Sequence, residues 1–201
     1  MNITGFFNYR NLITMQHTLI KEKFLKLLTE LKPVKIIEIG TSSGGLTLLL
    51  RDILDGNGLE KTRLISYDVN EPSHLRHYVN KGSKIELRIE NIFNNQYDKL
   101  ENGQEVIDII TSKGTTLILC DGGSKKNEFR LLSDYLKVGD VIMAHDYSPN
   151  ETYFQEHINN KVWNWLEIQD NDINESCEKN NLLPYMEDDF RQVVWVCKIK
   201  K

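Results

Sequence analysis

Apolar and polar residues alternate with two different periods along the first three quarters of the chain. In residues 18–31 the apolar positions recur every three or four residues, which predicts a helix that ends before Pro33. The run VKIIEIG, residues 34–40, is short, rich in β-branched side chains and closed by glycine, which indicates a buried strand. Residues 44–54 place their leucines on one face, so a second helix is expected after this strand.

Further apolar runs continue this alternation. Four of them are predicted as strands: RLISYDV (63–69), KIELRIE (84–90), TTLILCD (115–121) and DVIMAHD (140–146). The segment EFRLLSDYL (128–136) is predicted as a helix. Alternating strands and helices are typical of βαβ units, in which helices cover both faces of a parallel sheet. We therefore expect a doubly wound α/β fold.

The C-terminal third follows a different pattern. VWNWLEI at 162–168 and FRQVVWVCKIK at 190–200 are predicted as two strands, and the segment between them, 170–185, is polar. Their order suits an antiparallel addition at one edge of the sheet. The expected sheet is mostly parallel and seven-stranded, with an antiparallel C-terminal edge.

Composition agrees with one globular domain. The 201 residues are 40% hydrophobic and 27% charged, and no linker divides them. No apolar run approaches the roughly 20 residues of a membrane helix, and the N-terminus lacks the order of a secretion signal. We therefore expect a cytoplasmic single domain over residues 1–201, made of an N-terminal arm or lid (1–17), a ligand-binding core (18–148) and C-terminal strands (149–201).

Net charge and cysteine content limit the classes of partner and the compartment that are expected for this chain. The net charge of −4 gives no overall attraction to nucleic acid, which usually binds a basic face. Cys120, Cys177 and Cys197 lack the spacing of metal ligands, which suits free thiols in a reducing compartment. Neither nucleic acid nor membrane is expected as a partner. The apolar and aromatic tail either completes the sheet or forms a contact in a homo-oligomer.

Polar side chains gather where the predicted strands end, which is where open α/β sheets bind ligands. They are Glu38 with the turn from Gly40 to Gly45, then Asp68, Glu90, Asn91, Asp121, His145 and Asp146. The glycine turn lacks the lysine of a phosphate-binding P-loop, because Leu46 stands in its place. It also lacks the second glycine of a dinucleotide site, because Thr41 and Ser42 follow Gly40. Glu38 would repel pyrophosphate but suits a cationic ligand.

The ExGxxxG pattern of this turn resembles motif I of the class I methyltransferases that use S-adenosylmethionine (SAM), which carries sulfonium and ammonium charges and no phosphate. The resemblance implies that Glu38 faces the aminoacyl end of SAM, that Asp68 accepts hydrogen bonds from the ribose hydroxyls and that Asn91 meets the adenine edge. The cofactor-binding residues it implies are Glu38, Gly40, Thr41, Ser42, Gly44, Gly45, Asp68, Asn91 and Asp121. CDGGSKK stands where amino-methylating DNA enzymes usually carry [DN]PP[YF], which argues against that class.

Two neighbouring predicted strands end in candidate metal ligands. Asp121 ends one strand, and His145 and Asp146 end the next. Neighbouring strands lie about 4.8 Å apart, so these side chains could converge on one ion. Carboxylate oxygens suit Mg²⁺, whereas a histidine shifts the preference toward Mn²⁺, Fe²⁺, Co²⁺ or Zn²⁺. Alternatively, His145 hydrogen-bonds a backbone carbonyl.

Three stretches together carry a closer resemblance. IIEIGTSSGG, LCDGGSKK and VIMAHDYS are similar to the cephalosporin hydroxylase-like and macrocin O-methyltransferase-like enzymes, over roughly residues 12–148. These enzymes are Rossmann-like, SAM-dependent and Mg²⁺-dependent O-methyltransferases of small molecules. The resemblance implies metal ligation by Asp121 and Asp146, whereas His145 stands where the family usually has Glu or Asp. It also implies Lys125 as the base, with Lys126 behind it, and a small-molecule or sugar hydroxyl as the methyl acceptor.

Other functions remain open on the sequence alone. A metal-independent methyltransferase would use His145 as its base. An inactive relative would bind SAM or a protein partner without catalysis, and an NAD-dependent enzyme is disfavoured by the missing second glycine. Lys125 and Lys126 are equally typical of solvated residues at a helix N-terminus. The loops and the arm carry no chemical signature that names the acceptor.

Overall fold

The computed structural model describes residues 6–201. Its strands are β1 Phe7–Tyr9, β2 Leu12–Thr14, β3 Lys35–Ile39, β4 Arg63–Asp68, β5 Glu86–Ile89, β6 Thr116–Cys120, β7 Val141–Ala144, β8 Leu182–Pro184 and β9 Val196–Lys200. Its α-helices are α1 Ile20–Leu31, α2 Gly45–Gly56, α3 Ser73–Asn80, α4 Gln104–Thr111, α5 Lys125–Ser133, α6 Glu151–Tyr153, α7 Asp170–Lys179 and α8 Glu187–Arg191. A π-helical turn, Phe154–Ile158, continues α6. None of the helices in this range is long and apolar enough to cross a lipid bilayer.

Within the described residues, seven strands form the main sheet in the order β5-β4-β3-β6-β7-β9-β8. The pairs from β5 to β7 are parallel, whereas β9 runs antiparallel to both β7 and β8. The predicted α/β fold with its antiparallel C-terminal edge is therefore confirmed. The chain moves outward from β3 through β4 to β5 and then returns to β6 on the other side. The carboxyl ends of β3 and β6 consequently flank the switch point of the sheet, where ligands bind in such folds.

The sheet is buried on both faces, and this explains the nature of its central strands. Apolar clusters from α1, α2 and α8 cover one face, and clusters from α4, α5 and α7 cover the other. All five residues of β3 and all five of β6 are buried. Strands covered on both faces read as continuous apolar runs rather than as alternating ones. TLILC is such a run, whereas KIIEI also buries the charged residues Lys35 and Glu38.

The tail differs from its prediction. Residues 162–168 were expected to be a strand, but they form a loop in which only isolated bridges link Asn159 to Trp163 and Tyr147 to Ile168. The polar segment 170–185, for which no element was predicted, contains α7 and β8, and β8 is the seventh strand. The alternation in VWNWLEI arises because Trp163 and Ile168 are buried individually, while Trp165 is partly exposed.

The N-terminal arm is docked on the domain. β1 and β2 form an antiparallel hairpin against α2. The approach is so close that a Cβ at Gly45 would overlap Thr14 Oγ1. The Tyr9 hydroxyl also donates to Asp52 Oδ2 over 2.6 Å. Residues 1–5 of the predicted arm lie outside the described residues.

Candidate active site

The glycine turn lies at the switch point and is packed tightly against the end of β6. Gly40 has a φ of +93°, in the left-handed region that favours glycine. A Cβ at this position would overlap the backbone carbonyl of Asp121. The absence of a side chain therefore brings the end of β3 into backbone contact with the end of β6.

Two adjoining cavities flank this turn. The acidic cavity, about 260 Å³, is lined by Gln16, Asp121, Lys125, His145, Asp146 and Glu167, with Trp163, Trp165, Ile13 and Met15 at its apolar side. The tyrosine cavity, about 220 Å³, is lined by Tyr67, Asp68, Asn91, Phe93 and Tyr97. Gly40, Ser42 and Asp121 line both. A ligand that passes over the turn would therefore reach from one cavity into the other.

The tyrosine cavity contains the polar residues that were predicted for it. Asp68 accepts hydrogen bonds from the backbone N–H of Ser42 and of Asn70, each over 2.8 Å. Asn91 also lines the cavity, where its Oδ1 accepts from the backbone of Phe93. Phe93 stacks on Tyr97 with ring centroids 5.4 Å apart. This aromatic wall was missed from the sequence, because neither residue ends a predicted strand.

Glu38 is not where the resemblance implied. Its side chain is buried beneath the glycine turn and, among the described residues, lines neither cavity. Thr47 and Ser66 both donate hydrogen bonds to its Oε2. Burial raises the pKa of this carboxyl to about 8. Glu38 therefore supports the turn from below instead of facing a ligand.

The other residues of the turn divide by position. Thr41, Ser42 and Gly45 line the acidic cavity. Gly44 lines neither cavity among those described and instead precedes α2, where a Cβ would come within 2.6 Å of Leu75.

Asp121, His145 and Asp146 converge as the adjacent strand ends predicted. One ligand atom from each lies within 4.8 Å of the others. The Nδ1 atom of His145 is 3.2 Å from Asp121 Oδ1 and 3.4 Å from Asp146 Oδ1. The site thus combines two carboxylates with one imidazole.

Three side chains that the sequence analysis did not assign to the site hold this cluster in place. The amide of Gln16 donates to Asp121 Oδ2 over 2.7 Å, and the indole of Trp163 donates to Asp146 Oδ1. The indole of Trp195 in turn donates to Gln16 Oε1 over 2.8 Å. One oxygen of each aspartate is thereby fixed by a neutral donor.

His145 is enclosed by indole rings. It stacks on Trp195, with ring centroids 4.9 Å apart and planes 27° apart, and contacts Trp163 at 5.0 Å. Burial lowers the pKa of the imidazole, but the charges of Asp121 and Asp146 raise it by more. Its Nε2 is buried without a hydrogen-bond partner among the described residues. The alternative in which the ring bonds a backbone carbonyl is therefore wrong.

Lys125 begins α5 and points into the acidic cavity. Its Nζ lies 3.0 Å from Asp146 Oδ2, 2.9 Å from Glu167 Oε2 and 3.7 Å from Asp121 Oδ1. Burial lowers the pKa of the ammonium, but these carboxylates outweigh it, and the net pKa is raised. The lowered pKa expected of a base is therefore not present in this arrangement. Lys126 is exposed, as expected of a solvated residue.

The acidic cluster fits a divalent cation by its chemistry. Two carboxylates and an imidazole form a donor set that suits Mn²⁺, Fe²⁺, Co²⁺ or Zn²⁺ as well as Mg²⁺. The Lys125 ammonium lies beside the oxygens of Asp121 and Asp146 that Gln16 and Trp163 do not contact, so these carboxylates already attract a positive charge.

Comparison with known proteins identifies relatives of the sequence and of the fold. The methyltransferase domain family matches residues 37–147, which is more than half of the chain. The fold is similar to that of CmcI, with a TM-score of 0.64 at 14% identity over 96% of this chain and 76% of that chain. A structure of CmcI with Mg and SAM gives a TM-score of 0.60 at the same identity and coverage.

An O-methyltransferase of neocarzinostatin biosynthesis, NcsB1, in complex with SAM and 2-hydroxy-5-methyl naphthoic acid, has a TM-score of 0.55 at 13% identity. That similarity covers 92% of this chain and 53% of NcsB1. At these identities the likeness concerns the fold. No curated protein shows a significant match in sequence.

Proposed function

The chain belongs to the methyltransferase domain family, and we propose that it transfers the methyl group of SAM to a hydroxyl of a small molecule or sugar. The observation that carries this proposal is the pair of cavities that meet at Gly40, Ser42 and Asp121. One cavity has the polar and aromatic lining of a nucleoside site, and the other has an acidic cluster. A cofactor lying across the turn would present its reactive end to that cluster.

The tyrosine cavity suits the nucleoside end of SAM. Asp68 keeps its carboxylate at the rim of this cavity, where it can accept hydrogen bonds from two vicinal hydroxyls. The aromatic wall of Phe93 and Tyr97 offers a flat apolar surface to a base. Asn91 supplies polar atoms beside it. The missing pyrophosphate-binding glycine is consistent with a cofactor that carries no phosphate.

The acidic cavity suits the transfer itself. SAM supplies a methyl group on a cationic sulfur, which leaves as a neutral thioether when an oxygen lone pair forms the new C–O bond. A divalent cation held by Asp121, His145 and Asp146 would lower the pKa of an acceptor hydroxyl. Gln16 and Trp163 keep the two carboxylates oriented. In such a transfer, much of the rate enhancement comes from holding the methyl donor and the acceptor oxygen in the geometry of the reaction.

Lys125 and His145 divide the remaining tasks. His145 directs its Nδ1 at the aspartates and has its Nε2 enclosed, so it suits a ligand better than a base. The Nζ of Lys125 lies in the cavity. We propose that it receives the hydroxyl proton after the ammonium has lost its own proton to water. Its ammonium form in this arrangement follows from the negative charge of the carboxylates around it.

Apolar side chains at the rim of the acidic cavity indicate which surface the acceptor presents to it. Ile13, Met15 and Trp165 line the cavity and are each more than two-fifths exposed. We propose that the acceptor presents an apolar face to this rim and its hydroxyl to the acidic cluster.

Ligand binding tests the cofactor assignment. SAM at about 100 times its Kd should stabilise the protein by about 2.7 kcal/mol, which for a chain of this length raises Tm by roughly 5–10 °C. NADH should give no comparable shift. Asp68→Ala should abolish the response to SAM, whereas the exposed, matched control Asp55→Ala should keep it, since Asp55 lies in neither cavity lining. Stabilisation by NADH and not by SAM would contradict the proposal.

A further inference from the structure

The ammonium of Lys125 lies beside both aspartates of the acidic cluster. One oxygen of each aspartate is taken, because Gln16 donates to Asp121 Oδ2 and Trp163 donates to Asp146 Oδ1. The other two oxygens, Asp121 Oδ1 and Asp146 Oδ2, lie 3.7 and 3.0 Å from the Nζ of Lys125. A divalent cation held by the cluster would draw on the same two carboxylates. An ammonium and a divalent cation cannot both occupy the space between them.

Glu167 offers the ammonium another partner. Its Oε2 lies 2.9 Å from the same Nζ, and its side chain is 43% exposed whereas that of Lys125 is 7% exposed. The backbone N–H of Glu167 donates to the carbonyl of Asp146 over 2.9 Å, so the loop is fixed beside the cluster. Glu167 is not part of the group whose ligand atoms converge.

We propose that Lys125 competes with a divalent cation for Asp121 and Asp146, and that Glu167 is the positioning residue that retains the Lys125 ammonium when the cation binds. The inference rests on the metal site of the proposed function. Before metal binding, the Lys125 ammonium neutralises negative charge on Asp121 and Asp146. Glu167 then acts on metal binding by holding Lys125 and is not itself a metal ligand.

Mn²⁺ binding by the full chain without SAM tests the competition, with water-proton relaxation as the readout. Removal of the competing charge in Lys125→Met should tighten Mn²⁺ binding roughly tenfold or more, because the ion pair is largely enclosed. The neighbouring exposed lysine provides a matched control, and Lys126→Met should change the Kd less than about twofold. Lys125→Gln, which keeps a polar side chain without charge, should behave as Lys125→Met and serves if the latter does not fold.

A double-mutant cycle tests the role of Glu167. Glu167→Gln alone should weaken Mn²⁺ binding roughly three- to tenfold, because the ammonium then has only the aspartates as partners. In the Lys125→Met background the same change should have less than about a twofold effect. An equal effect in both backgrounds would make Glu167 a direct attractor of the metal and overturn the positioning role.

The remaining outcomes separate this inference from the proposed function. Mn²⁺ binding that is equally tight in Lys125→Met and in Lys126→Met would overturn the competition and leave the metal site standing. No Mn²⁺ binding in any variant would overturn both the competition and the metal, whereas the SAM response would still decide the cofactor.

Discussion

The buried carboxyl of Glu38 makes stability depend on pH in a way that one substitution should remove. Its side chain is 1% exposed, and burial raises its pKa from 4.5 to about 8. Between these two values the folded protein holds a proton that the unfolded chain has released. Stability therefore falls as pH rises through this interval, and the loss is complete above the folded-state pKa.

The size of this effect follows from the two pKa values. Each pKa unit corresponds to about 1.4 kcal/mol, so the interval from 4.5 to about 8 amounts to at most about 5 kcal/mol. Within the measurable range, the free energy of unfolding should fall by roughly 2–3 kcal/mol between pH 6 and pH 9 on account of Glu38 alone. Other titrating groups add their own slopes, so the comparison must be made against a variant that shares them.

Glu38→Gln is that variant. Its amide oxygen can accept from Thr47 and Ser66 as Oε2 does, and its NH₂ takes the place of the protonated Oε1. Urea unfolding at pH 6, 7, 8 and 9 should show that the advantage of Glu38→Gln over the unsubstituted protein grows by roughly 2–3 kcal/mol. Glu60→Gln, at an exposed position, should give a parallel profile. If the Glu38→Gln profile is also parallel, the buried acid ionises without penalty and the reasoning is wrong.

Two further predictions concern the acidic cavity. Exhaustive chelation should lower methyl transfer at least about tenfold while SAM still raises Tm, and added Mn²⁺ should restore the activity. Asp121→Asn should lower the activity by as much, also without loss of the Tm response to SAM, but Mn²⁺ should not restore it. Full activity after chelation would favour the metal-independent reaction. Trp165→Ala should raise KM for the acceptor several-fold and leave SAM binding unchanged, because loss of apolar contact at the rim weakens only the binding of the acceptor. Val138→Ala, at an exposed position, is the control. An unchanged KM in Trp165→Ala would exclude the rim from acceptor binding.

The sheet could be predicted because its parallel strands are short apolar runs that end in glycine or acid. Burial on both faces selects apolar and β-branched side chains, so TLILC is identified by its composition and KIIEI by its isoleucines. The segment 162–168 shows where this fails. Its apolar residues are buried one at a time, against His145 and the β7 end, without a partner strand. Periodicity reports burial but not the hydrogen-bonding partner.

The acidic cluster could be predicted because its members end two adjacent parallel strands, and topology then brings them together. Gln16 could not, because its role depends on a hairpin that returns to the site from outside the sheet. Glu38 was misplaced for a related reason. The side chain of a strand residue before a turn points to one face of the sheet or the other. The sequence does not say whether a ligand or a helix lies against that face, and for Glu38 it is the helix that carries Thr47. The raised pKa of Lys125 likewise follows from the charges of Asp121 and Asp146 and from the hydrogen bond to Glu167, an arrangement that only the fold establishes.

The hydrogen bond from Trp195 to Gln16 joins residues 179 positions apart. During synthesis the glycine turn and the whole lining of the tyrosine cavity, residues 39–128, emerge from the ribosome well before Trp195. A nascent chain is therefore expected to form the tyrosine cavity early and to orient Asp121 only after the strand that follows Trp195 has paired. The two halves of the site would mature in sequence.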